Sequence, residues 1–594
     1  MTLPFDQILS TPYSLTLSSV PEGQDALILA ELARKAAPAK PIMHVARDDA
    51  RLAVMADALR FFAPDVEVIS IPAWDCLPYD RVSPHPDISA NRMAAFALLA
   101  NSKQSTARII LTTINSALQK VPPKAHVAGE SLCLETGAQL DLETLSEYLS
   151  ANGYHRTTTV GEAGEFAIRG GLVDLFPAGA ENPLRIDFFG DEIDSIRPFD
   201  ALDQRTISRI DRYVLVPAGE MTMSKDAIRR FRQGYVAEFG TVTEEDPLYA
   251  GISEGRRIQG AEHWLPLFYG EMETLFDYLS EDTPITLDHQ VDEAAIARHG
   301  AILDYYETRK AAREGDLSLS TPYKPLAPHH LYLLEEDWAQ LKEDWSAHHF
   351  TPFSMPEGNN VMDAGGHVAR DFAPERQASN TNIYEACIEH ILAEQKAGRR
   401  VMMLSYSSGA RDRLAHVLSD HGLTKTQPIE SWEDFHAMTK TRVGLGIVAL
   451  ERGFRTDDIS LITEQDVLGD RLIRRARKSK KAENFISEAS SLAPGDLVVH
   501  VEHGIGRYEG LQTIDVSGAP HDCVWLTYQG GDRLYVPVEN IEVLSRYGGE
   551  ANASILDKLG GSGWQARKAR MKKRVREMAN ELIKIAAARA LRKG

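Results

Sequence analysis

Few side chains in this 594-residue chain stand at spacings that do chemistry. His500 and His503, in DLVVHVEHGIGRYEGL, are three apart. On a strand such residues point to opposite faces, so the pair could share a metal ion only if the strand broke between them. Gly504 and Gly506 fall where the chain is expected to turn between strands, with no helix N-terminus following to cradle phosphate. The first strand–helix unit, SSVPEGQDALILAEL, carries Gly23 alone and no lysine where a phosphate loop reads GxxxxGK[ST], which argues against ATP binding there. SLITEQD, ending at Asp466, imitates a strand with terminal carboxylates for magnesium, but without a phosphate loop it reads as a capped strand end. The chain has no HExxH.

Two strands offer surfaces rather than catalysis. In PLRIDFF, alternation puts Leu184, Ile186 and Phe188 on one face and Arg185, Asp187 and Phe189 on the other. With the aliphatic side in the core, the outer face presents an arginine beside an aromatic, a pair enriched at interface centres. A surface salt bridge between Arg185 and Asp187 is the alternative. Arg169, in FAIRGGLVD, could join from a neighbouring strand, and Gly190-Asp191 closes the hairpin. In GLQTIDV, Leu511, Thr513 and Asp515 oppose Gln512, Ile514 and Val516. An unpaired edge with an exposed isoleucine there would offer strand addition to a partner's sheet; an ordinary edge strand is the other reading.

The length suggests about four domains. The chain has 65 Lys+Arg and 85 Asp+Glu, a net charge of -20, which argues against a general nucleic-acid coat. Residues 471–594 nevertheless hold 22 bases against 14 acids, so the first 470 carry -28 and an acidic body bears a basic end. No apolar run approaches the ~20 residues of a membrane span, and the N-terminus lacks a signal-peptide pattern, which places the protein in the cytoplasm. Cys76, Cys133, Cys387 and Cys523 are scattered singly, against a zinc or disulfide framework, and read as small buried apolar residues.

Helix and strand patterns alternate from 20 to 120, as in βαβ units on a parallel sheet. Period-2 runs follow from about Gly129. Helices and aromatic loops return at 215–350, and α/β alternation resumes at 365–470. RLIRRARKSKK, 471–481, reads as a solvated linker or a phosphate contact. Four short strands, DLVVHVEH, GRYEGLQTIDV, DCVWLTYQ and DRLYVPVENIEVL, predict a small bent barrel. A basic helix follows, with Met571, Val575, Met578, Leu582 and Ile585 on one face.

GDLVVHVEHGIGRYEGL with LYVPVENIEVLSRYGG resembles the RNA-polymerase-interacting domain of bacterial transcription-repair coupling factors, itself related to CarD-type transcription factors. IPAWDCLPYDRVSPHPDISANRMAAFALL and GEFAIRGGLVDLFPAGAENPLRIDFFGDEIDSIRPFD are similar to the UvrB-homology region of the same family. The resemblance runs along the whole chain. It implies a multi-domain α/β and α+β protein. A UvrB-like α/β module with a degenerate phosphate loop (1–123 and 215–350) is interrupted by an inserted antiparallel UvrA-binding β domain (124–214). A small α/β domain (365–470), a basic linker (471–491), a Tudor/CarD-like β-barrel that binds RNA polymerase (492–548) and a basic helix (563–594) follow.

The resemblance further implies two docking surfaces. Arg169, Arg185 and Phe189 match the family's UvrA-contacting residues, on the face that alternation selects. Ile514 matches its critical apolar residue toward the β subunit of RNA polymerase, with Leu511 and Thr513 beside it. Arg567, Lys568, Arg570, Lys572 and Lys573 are expected DNA-phosphate contacts. Full-length members continue into two motor domains that use ATP and magnesium to translocate on double-stranded DNA. This chain stops inside the preceding helix, so it is expected to be a fragment with no catalytic residue, cofactor, metal or small-molecule substrate of its own. Two alternatives are a CarD-like transcription regulator without a repair role and ATP hydrolysis by the α/β domains.

Overall fold

The computed structural model describes residues 3–37, 40–101, 106–157, 160–201, 204–240, 246–314, 323–356, 358–377, 382–469, 495, 497–500, 503–516, 519–537, 544–546 and 556–559. The chain divides into two compact units, residues 1–474 and 475–594.

The first unit is built on a seven-stranded sheet in the order Val361–Asp363, Thr16–Ser18, His348–Phe350, Ile285–Leu287, Ile42–Ala46, Arg108–Thr113, Glu67–Ile71. All its ladders are parallel. Central strands of such a sheet are covered on both faces and need apolar residues at nearly every position. Arg108–Thr113, RIILTT, is buried throughout. Ile109 and Leu111 pack with helices Gln24–Ala36 and Asp49–Phe62 on one side. Ile110 packs with Pro86–Asn101 and Val291–Glu314 on the other. Asp48 caps the second helix, its carboxylate accepting from the Arg51 amide at 2.7 Å.

The inserted sheet runs Glu192–Pro198, Leu184–Phe189, Leu172–Leu175, Glu165–Arg169, His155–Arg156, antiparallel except for the last pair. Its inner rows, Phe166, Val173, Leu175, Leu184, Ile186 and Ile196, close on Leu145 and Leu149 of helix Leu142–Ala151. Gly190, at φ 63°, makes the two-residue Phe189-to-Glu192 turn that the sequence predicts.

The small α/β domain forms a six-stranded sheet, His367–Val368, Phe454–Arg455, Ile459–Thr463, Arg400–Ser405, Val443–Ile447, Thr426–Pro428. Met402, Leu404, Phe435 and Leu450 extend the core beside helices Gln24–Ala36 and Asp49–Phe62. Phe62 meets Trp432 edge-on at 4.8 Å.

Aromatic residues fill a separate core, where Trp74, Tyr79, Phe231, Tyr235, Trp264, Phe268 and Tyr332 pack together. His263 lies in it, 2% exposed, between Trp74 and Tyr79. Neither of its ring nitrogens has a hydrogen-bond partner among the described residues. Burial lowers its pKa to about 4, as it does for His44. Both imidazoles are therefore neutral in the fold, whereas unfolded histidine titrates near 6.5. Their contribution is complete above about pH 6.5 and is lost as the pH falls toward 4, by roughly 3 kcal/mol at most for each. Glu22, Asp25 and Asp466, raised by burial, act in the opposite sense, since a raised carboxyl binds a proton more readily folded than unfolded. His263→Phe is expected to flatten the fall of the melting temperature between pH 6.5 and 4 while changing stability at neutral pH by about 1 kcal/mol or less. Melting curves across that range check it; an unchanged pH slope would refute it.

The second unit is an antiparallel sheet in the order Arg533–Pro537, Ala519–Thr527, Gly504–Val516, Leu497–His500, Leu544–Arg546. Its core is Val498, Tyr508, Val524, Leu526, Tyr528, Val536 and Leu544. Five strands replace the expected four: DRLYVPVENIEVL supplies Arg533–Pro537, and a further strand, Leu544–Arg546, begins at its last residue. Among the described residues the two outermost strands do not pair with each other, so closure into a barrel is not seen. Gly504, at φ 83°, opens the strand Gly504–Val516 opposite His500, and Gly506 lies within it rather than in a loop. The basic linker 471–491 and the helix 563–594, with Arg567, Lys568, Arg570, Lys572 and Lys573, lie outside the described residues.

Candidate docking surfaces

The outer face of the inserted sheet gathers the three residues singled out on it. In one row across the strands, Arg169 is opposite Leu172, which is opposite Asp187, which pairs with Ser195. In the next row Asp174 stands opposite Arg185 and Arg185 opposite Arg197. Phe189 ends its strand at the hairpin and is 83% exposed, the most exposed large hydrophobic among the described residues. Leu184 and Ile186 are buried while Arg185 and Asp187 are half-buried, as period-2 alternation requires.

Arg185 is not paired with Asp187. Its Nε and Nη2 donate to both carboxylate oxygens of Asp174, at 2.7 and 3.0 Å, and its guanidinium lies over the Phe199 ring at 4.6 Å. That bidentate bond from Asp174 raises the Arg185 pKa further. Asp187 instead accepts from Arg197 and from the Ser195 hydroxyl. Asp174 was invisible to local alternation because residues 176–183 separate its strand from that of Arg185, and only the register places them opposite.

Around Gly23 the phosphate position is filled from within. The Asp25 carboxylate accepts from the amides of Gly23 at 3.0 Å and Ala26 at 2.7 Å, the donors a phosphate loop would offer. Arg51 binds Asp25 and, through Nε at 3.1 Å, Asp288. Gly23 sits at φ 90°, and a Cβ there would come within 2.7 Å of Leu450 and 2.8 Å of Phe454 of the small α/β domain. These residues do not fit a nucleotide: a carboxylate holds the amides and a neighbouring domain covers the loop.

Asp466 does not end the strand, which stops at Thr463; it lies in the helix Glu464–Leu468 that follows and closes a capping box with Thr463. Its Oδ2 accepts from the Thr463 amide and hydroxyl, both at 2.9 Å, and from the Gly453 amide at 2.8 Å. His500 and His503 lie closer together than strand alternation predicts. The described strand runs to His500, and the two rings lie 4.6 Å apart, with His500 Nδ1 accepting from the His503 amide at 3.3 Å. Among the described residues no group of three or more His, Cys, Asp or Glu could hold a metal ion. Cys387 and Cys523 are buried as expected, but Cys133 is exposed and its Sγ accepts from Arg212 Nε at 3.0 Å.

In the second unit, strand Gly504–Val516 pairs with Leu497–His500 only as far as Arg507, while Ala519–Thr527 follows it to Val516. From Tyr508 onward it has a ladder partner on one side only, among the described residues. Leu511, 54% exposed, lies on that half. Thr513 and Ile514 lie there too, in register with Asp522 and His521; their side chains are outside the described residues.

A family model for the UvrB interaction domain matches residues 132–221, one for the MFD D3 domain matches 394–467, and one for the CarD-like/TRCF RID domain matches 492–548. The transcription-repair-coupling factor of Haemophilus influenzae is 32% identical over 97% of this chain and 49% of its own length. Nearly the whole chain is similar to transcription-repair-coupling factors. That of Escherichia coli is also 32% identical, over 96% of the chain and 48% of the relative, and that of Bacillus subtilis 27%, over 93% and 47%. The chain thus spans about half the length of the curated relatives it matches. The UvrB interaction match contains the whole Arg169–Arg185–Phe189 face, and the RID match contains the one-sided strand. Among the described residues no helix is long and apolar enough to cross a membrane.

Proposed function

We propose that this chain is the recruitment segment of a cytoplasmic transcription-coupled nucleotide excision repair factor. It docks on the β subunit of stalled RNA polymerase through the second unit and attracts UvrA through the inserted sheet. The observation that carries the reading is the convergence of Arg169, Arg185 and Phe189 on one outer face within the UvrB interaction match. The complete protein would add ATP-dependent translocation on double-stranded DNA and displacement of polymerase. The Asp25-filled loop supplies no nucleotide site for that step in this segment. Titration of UvrA into the purified chain tests the proposal: saturable binding supports it, and none would mean that the face is masked or misassigned.

The polymerase side rests on the half-strand beyond Tyr508, which has a ladder partner on one side only among the described residues and would offer its other edge for strand addition. Ile514→Asp is expected to weaken binding to the isolated β subunit more than tenfold, by burying a charge in an apolar contact. Unchanged binding in a pull-down titration would count against that role, and equally against a CarD-like regulator using the same strand.

A further inference from the structure

The outer face holds a pair that the docking residues do not include. Asp174 is 3% exposed, unusual for an aspartate, and both its oxygens are spent on one side of the Arg185 guanidinium. Phe199, fully buried, lies under the same guanidinium, and the Gln204 carbonyl accepts from Nη1 at 3.5 Å. Gln204 is itself held at φ 61°, with its amide donating to the carbonyls of Val160 at 3.4 Å and Ala201 at 2.8 Å. Arg185 is therefore fixed in direction before any partner arrives, and Asp174 cancels its charge.

Resting on the docking reading above, we propose that Asp174 is a positioning residue for UvrA binding, acting through Arg185 with Phe199 as the platform. Asp174 touches no partner. It takes Nε and one hydrogen of Nη2, the Gln204 carbonyl takes one of Nη1, and the remaining hydrogen on each terminal nitrogen is left for an acceptor on UvrA. Recognition at this point is then directional rather than a matter of net charge. A flexible arginine would lose rotamer freedom on docking, and pre-orientation removes that cost.

A double-mutant cycle tests this by titration calorimetry with UvrA. Asp174→Asn keeps the shape but cannot neutralise or grip the guanidinium from both oxygens. It should weaken UvrA binding about tenfold in the parent chain and less than about twofold in an Arg185→Ala background, while adding fully to Phe189→Ala. Phe199→Leu should follow the same pattern, which keeps the test available if Asp174→Asn fails to melt cooperatively. Arg185→Lys should not rescue binding. Equal losses with and without Arg185, or affinity within about twofold of the parent, would overturn the positioning role while leaving the docking face intact. No binding by the parent chain would overturn both, and so separates failure of the docking reading from failure of the positioning role alone.

Discussion

Arg92→Ala is expected to destabilise the first unit by about 3–5 kcal/mol, the range for stranding one partner of a buried ion pair. The Arg92 side chain is fully buried. Its Nε and Nη2 donate to Glu220 at 2.6 and 3.3 Å, and Nη1 donates to the Pro72 carbonyl at 2.7 Å and the Ser116 hydroxyl at 2.8 Å. Trp74 Nε1 donates to the same Glu220 oxygen at 2.7 Å. The cluster thus ties helix Pro86–Asn101 to the loop before it and to Glu220, 128 residues away. Without Arg92, Glu220 stays buried with the Trp74 indole as its remaining side-chain donor. Urea unfolding followed by circular dichroism should show the fall in midpoint. Replacing both partners by apolar residues, Arg92→Met with Glu220→Leu, should recover much of it, since the cost comes from the stranded charge. A single-variant loss below about 1 kcal/mol would refute this account.

The second large effect is at the docking face. Arg185→Ala/Phe189→Ala is expected to abolish measurable UvrA binding, because each removes a residue type that dominates interface energies at more than 2 kcal/mol, over thirtyfold in affinity. Phe189 is the clearer case: an aromatic 83% exposed at a hairpin end gives little to the fold, so its truncation should leave the melting temperature unchanged. Arg185→Ala leaves Asp174 without its partner and should lower stability somewhat as well. Calorimetric titration beside a thermal melt separates the two. Retained binding within about threefold of the parent would remove Arg185 and Phe189 from the interface.

What could be read from sequence followed from short-range periodicity. Period 2 placed Leu184 and Ile186 inward and Arg185 outward, and the Gly190-Asp191 turn was fixed by a glycine that can adopt positive φ. The missing lysine and second glycine near Gly23 argued against a phosphate loop there. The matched motifs carried the resemblance, since UvrB-like and polymerase-interacting segments keep their residues contiguous. These conclusions need only neighbours within a few residues.

What tertiary structure decided involves partners far apart in the chain. Asp174 rather than Asp187 grips Arg185, Asp25 takes the amides of the former phosphate loop while Leu450 and Phe454 close over it, and Glu220 meets Arg92. The His500 and His503 rings lie 4.6 Å apart, where local alternation put them on opposite faces. Each outcome depends on strand register or chain crossing, set by burial of the whole core, and no local pattern encodes it. The sequence by itself determined which residues face outward and what chemistry they lack; only the tertiary structure decided which charges neutralise one another, and hence which groups remain to be offered to a partner.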